Sequence, residues 1–429
     1  MTYETDDQFI LSKVYNFADD YFIPGRPAKT KLPRRRHDSH FPRHRTAKIG
    51  DRKIVEKRIC QMALLRTNDN SINRHLECRE ARDLSLRETK YKNMRNDANR
   101  IRIDIAGDGS RDTASMWACY PCGKRTFDLH DIYVFSCPEC GDKFERYRYH
   151  TRNLAGNVAL VTGARSKLGY QVALKLLRAG CTVIVSTRQP DRARYLYEQE
   201  PDYAKWKGNL CVYPTGLDFL SQDLENDLGS LYKFIDQKFG KLDILVNNAA
   251  QTIREMCLNK GQANGNTRNR YGDPAACPQE WQNSWTIPLE NVTLDEFTEV
   301  FRVNAIAPSM LFARLKPLML KSAEPYLLNV HAREGIFDVK KSHRHVHTNM
   351  AKAALSMLTN CAAKNEQLIR VHGVDPGWIS QDEYYPHARP WTVAPPLDEV
   401  DGAARILFPL FERLKSCAKT RRHFNNFLF

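Results

Sequence analysis

The stretch that most constrains this chain is 156–180, GNVALVTGARSKLGYQVALKLLRAG. A short apolar run at 158–161 reaches Thr162-Gly163, then a basic loop, then Leu168-Gly169, which opens an amphipathic stretch closing at Ala179-Gly180. An apolar run ended by glycine and followed by a helix-period pattern reads as strand, tight turn and helix. Gly163 permits the turn and Gly169 a close strand–helix approach. The N–H groups of the first helical turn then face a pyrophosphate. Lys167 stands where such a loop would carry its middle glycine.

The same alternation continues downstream. Strands are expected at 158–161, 182–186, 210–213, 244–247, 326–330 and 370–374, and helices at 168–179, 190–200, 222–239, 294–321 and 348–363. Apolar strands separated by helices predict a parallel sheet covered on both faces, a doubly wound α/β Rossmann domain. Residues 255–286, rich in Asn, Gly, Gln and Pro, are too long for a simple connector and read as a lid or partner surface.

Ahead of this domain lies WACYPCGKRTFDLHDIYVFSCPECGDKFERY. Cys119-x-x-Cys122 and Cys137-x-x-Cys140 are fourteen residues apart, and Gly123 and Gly141 follow the pairs directly. Two such knuckles can bring four thiolates to a tetrahedron around zinc, with a hairpin between them and glycines that turn backbone N–H groups toward sulfur. Four protein ligands leave no open position, so the expected role is structural. His130 and His150 lie nearby and are not needed as ligands. The other eight of the twelve cysteines are scattered, which favours a reducing intracellular compartment, cytoplasmic or nuclear, over a disulfide framework.

Charge is uneven. The formal net charge is +15, and residues 26–66 hold fourteen Lys/Arg against three acids. Such a basic arm suits RNA or another polyanion, and equally a solvated tail. Prolines 24, 27, 33 and 42 exclude a long helix before about 48, whereas 51–102 is helix-permissive. The opening MTYETDDQFILSK resembles no secretory or transit signal, and no run of about twenty apolar residues suggests a membrane span. The organisation expected is a basic, partly helical extension over 1–115, a zinc ribbon over 116–150 and the Rossmann domain over 154–429.

Several motifs line up in the order of the short-chain dehydrogenase/reductase family, which the chain resembles over roughly 154–429. Thr162-Gly163-x5-Gly169 resembles its cofactor turn, and Leu217-Asp218 the aspartate that meets the adenine ring. Asp243-Ile-Leu-Val-Asn-Asn-Ala-Ala250, with Asn248 and Ala249, is close to the family's NNAG strand end. Asn304 in RVNAIAP matches the asparagine of its proton relay, and Asp375-Pro376-Gly377 the turn beside the nicotinamide. NNAAQTIR and HTNMAKAAL, together with the ribbon, resemble a ribbon-fused branch of that family.

The catalytic signature departs from the pattern. The resemblance implies Tyr-x-x-x-Lys with an upstream serine, and here Lys352 follows Thr348, while His331 or Ala332 occupies the serine place. An aliphatic hydroxyl is a poor proton donor compared with a phenol. His347, His345 or His331 could substitute, since imidazole titrates near neutral pH. His343, His345 and His347 alternate, so an extended strand would put them on one face, suited to a metal or merely solvated.

The second strand ends Ile184-Val-Ser-Thr-Arg188 without the acid that an NAD site uses for the ribose 2′-hydroxyl. Arg188, Arg165 and Lys167 favour NADP over NAD. The reading implied by the resemblance is an NADP(H)-dependent oxidoreductase acting on a small carbonyl or alcohol, with Lys352 and Asn304 as surviving relay members, and a homo-oligomer. The alternative is a catalytically inactive relative serving as scaffold, in an RNA–protein assembly.

Overall fold

A computed structural model describes residues 117–126, 128, 130, 133, 136–251, 287–337, 341–379 and 397–414. The basic arm at 26–66, the helices expected over 51–102 and the polar excursion 255–286 lie outside the described residues. In chain order the elements begin with β1 (Trp117–Ala118), β2 (Arg125–Thr126) and α1 (Pro138–Tyr149). Next come β3 (Val158–Thr162), α2 (Lys167–Arg178), β4 (Thr182–Ser186), α3 (Pro190–Glu198), α4 (Tyr203–Trp206), β5 (Leu210–Val212), α5 (Leu224–Phe239) and β6 (Ile244–Asn247). The series closes with α6 (Leu294–Phe301), α7 (Ala307–Met319), β7 (Tyr326–Val330), α8 (Val346–Asn365), β8 (Arg370–Val374) and α9 (Glu399–Phe411).

The Val-, Ile- and Leu-rich runs form a parallel six-stranded sheet in the order β5-β4-β3-β6-β7-β8. β3, β6 and β7 are buried throughout, as strands must be when helices cover both faces. Alternation sorts their side chains: Ala159 and Val161 join the layer with α2 and α9, Leu160 and Leu245 the layer with α5 and α7. β3 pairs with both β4 and β6, so the chain reverses its direction of growth there. In open α/β sheets a ligand binds outside the carboxyl ends of the strands at this switch point.

Several elements differ from the expected pattern. The helix expected over 294–321 starts at a Thr293 cap, whose hydroxyl accepts from Glu296 N–H, but Arg302–Ile306 is π-helical and separates α6 from α7. A wider turn keeps the apolar period, so the pattern alone does not reveal it. α9 was not among the expected elements; Asp398 caps it in a reciprocal box with Asp401. A short hairpin wraps around the first knuckle, Trp117 pairing with Thr126 and Ala118 with Arg125, while the hairpin expected between the knuckles falls largely outside the described residues. The second knuckle opens a helix, with Cys137 at the cap and Pro138 at the first position of α1. Gly123 has φ +68° and makes the expected turn, but Gly141 is helical, and a Cβ there would overlap the His130 ring. Its smallness serves packing.

The cysteine segment is joined firmly to the sheet domain. Arg148 of α1 is 1% exposed, and its Nη1 donates to Asp398 Oδ1 at 2.6 Å and Asp401 Oδ1 at 2.8 Å. Tyr133 Oη donates to the same Asp401 oxygen at 2.7 Å, and Lys175 Nζ donates to the Arg148 carbonyl.

Candidate active site

At the nucleotide side, Thr162 is the hub. Its hydroxyl accepts from Asn248 N–H and Ala249 N–H, each at 3.0 Å, while Asn248 Nδ2 donates to the Thr162 carbonyl at 2.9 Å. These bonds hold the end of β6 against the loop between β3 and α2. Gly163 has φ +65°, and a Cβ on it would come within 2.9 Å of the Ala249 Cα. A Cβ on Gly169 would overlap Asn248 Nδ2 and the Gly163 carbonyl, so both glycines are needed for the close approach. Leu168 packs against the core beside them.

Lys167 has φ +55°. A non-glycine residue in the left-handed region costs about 1–2 kcal/mol. Lys167→Gly is therefore expected to raise the thermal midpoint by roughly that amount of stability; an unchanged or lower midpoint in a melting curve would show that the lysine side chain compensates.

Arg165 and Lys167 are half-buried, and Arg188 is exposed. A cavity of about 340 Å³ beyond β4 and β5 is lined by Arg188, Tyr213, Thr215 and Asp218. Asp218 Oδ1 accepts from Leu220 N–H at 3.0 Å, which fixes that carboxylate at the rim. Arg188 and Asp218 thus border one cavity at the carboxyl edge of the sheet.

The catalytic side lies at the ends of β7 and β8. Lys352 of α8 is 4% exposed, and its Nζ donates to the Val330 carbonyl at 3.0 Å. Burial pushes its ammonium down to about 8, while the nearby charges of Glu334 and Asp375 oppose that fall. Gly377, φ +86°, donates its N–H to Asp375 Oδ1 at 2.8 Å, closing the turn that includes Pro376. Asn304, 1% exposed, lies in the π-helical segment; its Nδ2 donates to the carbonyls of Gln251 at 2.6 Å and Val300 at 2.9 Å. Asn247, Asn329 and Thr359 form a buried chain from β6 through β7 to α8.

Of the residues at or beside the place of the missing tyrosine and serine, Thr348, His347 and His331 are closed off, whereas His345 is half-buried. Thr348 is 1% exposed, and its hydroxyl has no partner among the described residues. His347 is fully buried, 3.4 Å from Glu296 Oε1, and burial lowers its basicity against the pull of that carboxylate. His331 is 1% exposed, with Nδ1 2.9 Å from Ser356 Oγ and Nε2 2.7 Å from Thr359 Oγ1. Burial and, secondarily, the Lys352 charge push His331 down to about 3, so it is a neutral ring at physiological pH. The extended strand suggested for the three alternating histidines is not formed. His343 lies in a bend, His345 caps α8 at φ +42° and His347 is within the helix.

Among the described residues, one group of side chains is arranged to hold a metal ion: Cys119, Cys122, Cys137 and Cys140, whose sulfurs all lie within 4.8 Å of one another. Tetrahedral zinc with Zn–S near 2.3 Å sets sulfurs about 3.8 Å apart. Cys122 and Cys137 are 3.9 Å apart, so the donor set fits that ion.

One residue absent from the sequence reading enters the site from the cysteine segment. Tyr120, between the ligands of the first knuckle, accepts the Trp378 N–H at its hydroxyl oxygen at 3.0 Å. Inside a Cys-Tyr-Pro-Cys knuckle it reads as filler, and nothing in the spacing connects it to a residue 258 positions away.

Comparison with known proteins agrees with this geometry. Residues 157–265 match the family model for short chain dehydrogenase. The uncharacterized protein R665 of Acanthamoeba polyphaga mimivirus is 39% identical over 346 residues, covering 71% of this chain and 74% of that protein. Farnesol dehydrogenase of Aedes aegypti is 35% identical over 22% of this chain and 36% of its own length. The (-)-isopiperitenone reductase of Mentha piperita is 26% identical, covering 55% of this chain and 88% of that enzyme. With the glycine turn packed on the NNAA strand end and the lysine of α8 at the head of β7, the chain belongs to the short-chain dehydrogenase/reductase family.

Proposed function

We propose that this family member is an NADP(H)-dependent oxidoreductase acting on a small carbonyl or alcohol, with a structural zinc in its four-cysteine segment. The observation that carries the reading is Lys352: a buried ammonium held on the Val330 carbonyl, beside the Asp375–Gly377 turn and the carboxylate of Glu334. A cation kept in so costly a place is a common mark of a working site. Two relatives are named a dehydrogenase and a reductase, which supports the same class of chemistry.

The cofactor, when bound, supplies or accepts the hydride. The backbone of Gly163, Leu168 and Gly169 would approach its pyrophosphate, and Asn248, Ala249, Pro376 and Gly377 would border the nicotinamide side. Asp218 would meet the adenine and Lys352 the ribose hydroxyls. Arg188, with Arg165 and Lys167, suits a 2′-phosphate, and no acid ends β4. Asn304 holds the backbone of Gln251 and Val300 and keeps its buried amide oxygen for a relay partner.

The test is NADPH oxidation with a panel of aldehydes and ketones, comparing the wild type with Lys352→Met. Turnover is expected in the wild type, and a loss of about 10²–10⁴-fold in the variant. Turnover needs the ammonium, which is charged below about pH 8, so the rate is expected to fall as pH rises through that value. A rate that climbs through pH 9, or a variant as fast as the wild type, would refute the assignment.

The occlusion of Thr348, His347 and His331 favours a second reading, an inactive relative working as a scaffold. Its RNA contact would be the arm at 26–66, and affinity should then fall steeply with salt. A homo-oligomer through α7 and α8 has support in the exposed Ile306, Met310, Met350 and Met357.

A further inference from the structure

The family reaction needs a hydroxyl on the substrate oxygen, and here Thr348 and His331, at 1% exposure, and His347, at 0%, are buried away, while the half-buried His345 carries no hydroxyl. The first knuckle brings a different hydroxyl to the same edge of the sheet. Tyr120 is half-buried, and its oxygen is fixed by the N–H of Trp378, the residue directly after the Asp375–Gly377 turn. β7 and β8 pair up to Val330 and Val374, so the carbonyl that holds Lys352 and the turn that holds Tyr120 leave neighbouring strands. The charges of Asp375 and Glu334 act on both side chains, and Arg405 acts on Tyr120 as well.

We propose that Tyr120, supplied by the cysteine segment, is the hydroxyl that donates a hydrogen bond to the oxygen of a bound carbonyl substrate, in place of the absent serine and tyrosine. The bond from Trp378 occupies an acceptor lone pair and orients the ring. Among the described residues no acceptor takes the phenol's own proton, so its donor capacity points to a ligand. The knuckle fixes the position of Tyr120 at both ends, since Cys119 precedes it and Cys122 follows two residues later. The cysteine segment is on this account a wall of the active site. A preorganised donor on a developing oxyanion is worth about 10²–10³-fold in turnover.

This assignment rests on the oxidoreductase reading, and the test separates the two. The full chain is prepared as wild type and as the isosteric Tyr120→Phe. NADPH affinity is titrated by fluorescence, and the carbonyl stretch of ¹³C-labelled 4-nitrobenzaldehyde is recorded in the dead-end complex with NADP⁺. Expected are equal NADPH affinity within twofold, a carbonyl band shifted to lower frequency only in the wild type, and a kcat about 10²–10³-fold lower in the variant. An identical band and an equal kcat in the two proteins would overturn the role of Tyr120 and leave the oxidoreductase reading intact. A tenfold gain in NADPH affinity on Tyr120→Phe would also overturn it, because the phenol would then obstruct the nicotinamide. A wild type that binds no NADPH removes the oxidoreductase reading, and this role with it.

Discussion

Arg148→Met is expected to destabilise the folded protein by about 3–5 kcal/mol, read as a fall in the denaturant midpoint with an unchanged slope. The cause is the partners left behind. Asp398 and Asp401 are each 3% exposed in the ion pairs, and Arg148 is the cation that both contact, at 2.6 and 2.8 Å. Further support comes from Tyr133 Oη and the Asp398 N–H on Asp401, and from the backbone N–H groups of Val400 and Asp401 on Asp398. The amino end of α9 favours the two carboxylates, but a helix terminus supplies only about half a charge. Two buried acids would then lose this shared cation in a water-excluding contact. The double variant Arg148→Met, Asp401→Asn is expected to recover part of the loss, because the amide removes one of the stranded charges. A single variant that melts like the wild type would show that the latch between α1 and α9 is not a determinant of stability.

Metal removal is the second large effect. With zinc on Cys119, Cys122, Cys137 and Cys140, the chain should carry one equivalent of zinc, and chelation or Cys119→Ser should melt the segment from β1 to α1. Binding free energies for structural zinc in small fingers are on the order of 10–16 kcal/mol, far above what a two-residue hairpin can supply. β1 and β2 contribute two paired positions, and Cys119, Cys137 and Cys140 form a buried cluster of their own. Amide exchange would rise in β1, β2 and the first turn of α1 while the sheet stays protected. Metal analysis returning no zinc, or protection unchanged after chelation, would contradict a metal-built segment.

The sheet was legible because its strands are short unbroken apolar runs. Those expected at 182–186, 244–247, 326–330 and 370–374 agree with β4, β6, β7 and β8, and the glycine turn with the start of α2. What the pattern hid has physical reasons. Arg302–Ile306 widens to a π-turn without disturbing the spacing of Val300, Val303 and Ala307, all of them buried. Pro-Glu-Cys-Gly at 138–141 reads as a turn, yet proline at a first helical position is favourable and the segment starts α1. Gly141 is expected from its place after the second cysteine pair to turn its N–H toward sulfur, and it is instead helical and a packing contact with His130. For the site, residue type was readable and accessibility was not. Thr348, His347 and His331 occupy the expected places, but only the fold shows that α8, α6 and β7 bury them. Tyr120 was invisible because its partner, Trp378, is distant in sequence.

Nicotinamide binding by the full chain is the property on which every proposed role of the site depends. Fluorescence titration of the wild type with NADPH and with NADH measures it directly, and Arg188→Glu supplies the control for the 2′-phosphate. Saturable binding is expected, tighter for NADPH, with the preference reduced or reversed in Arg188→Glu. No saturable binding of either nucleotide would contradict those roles.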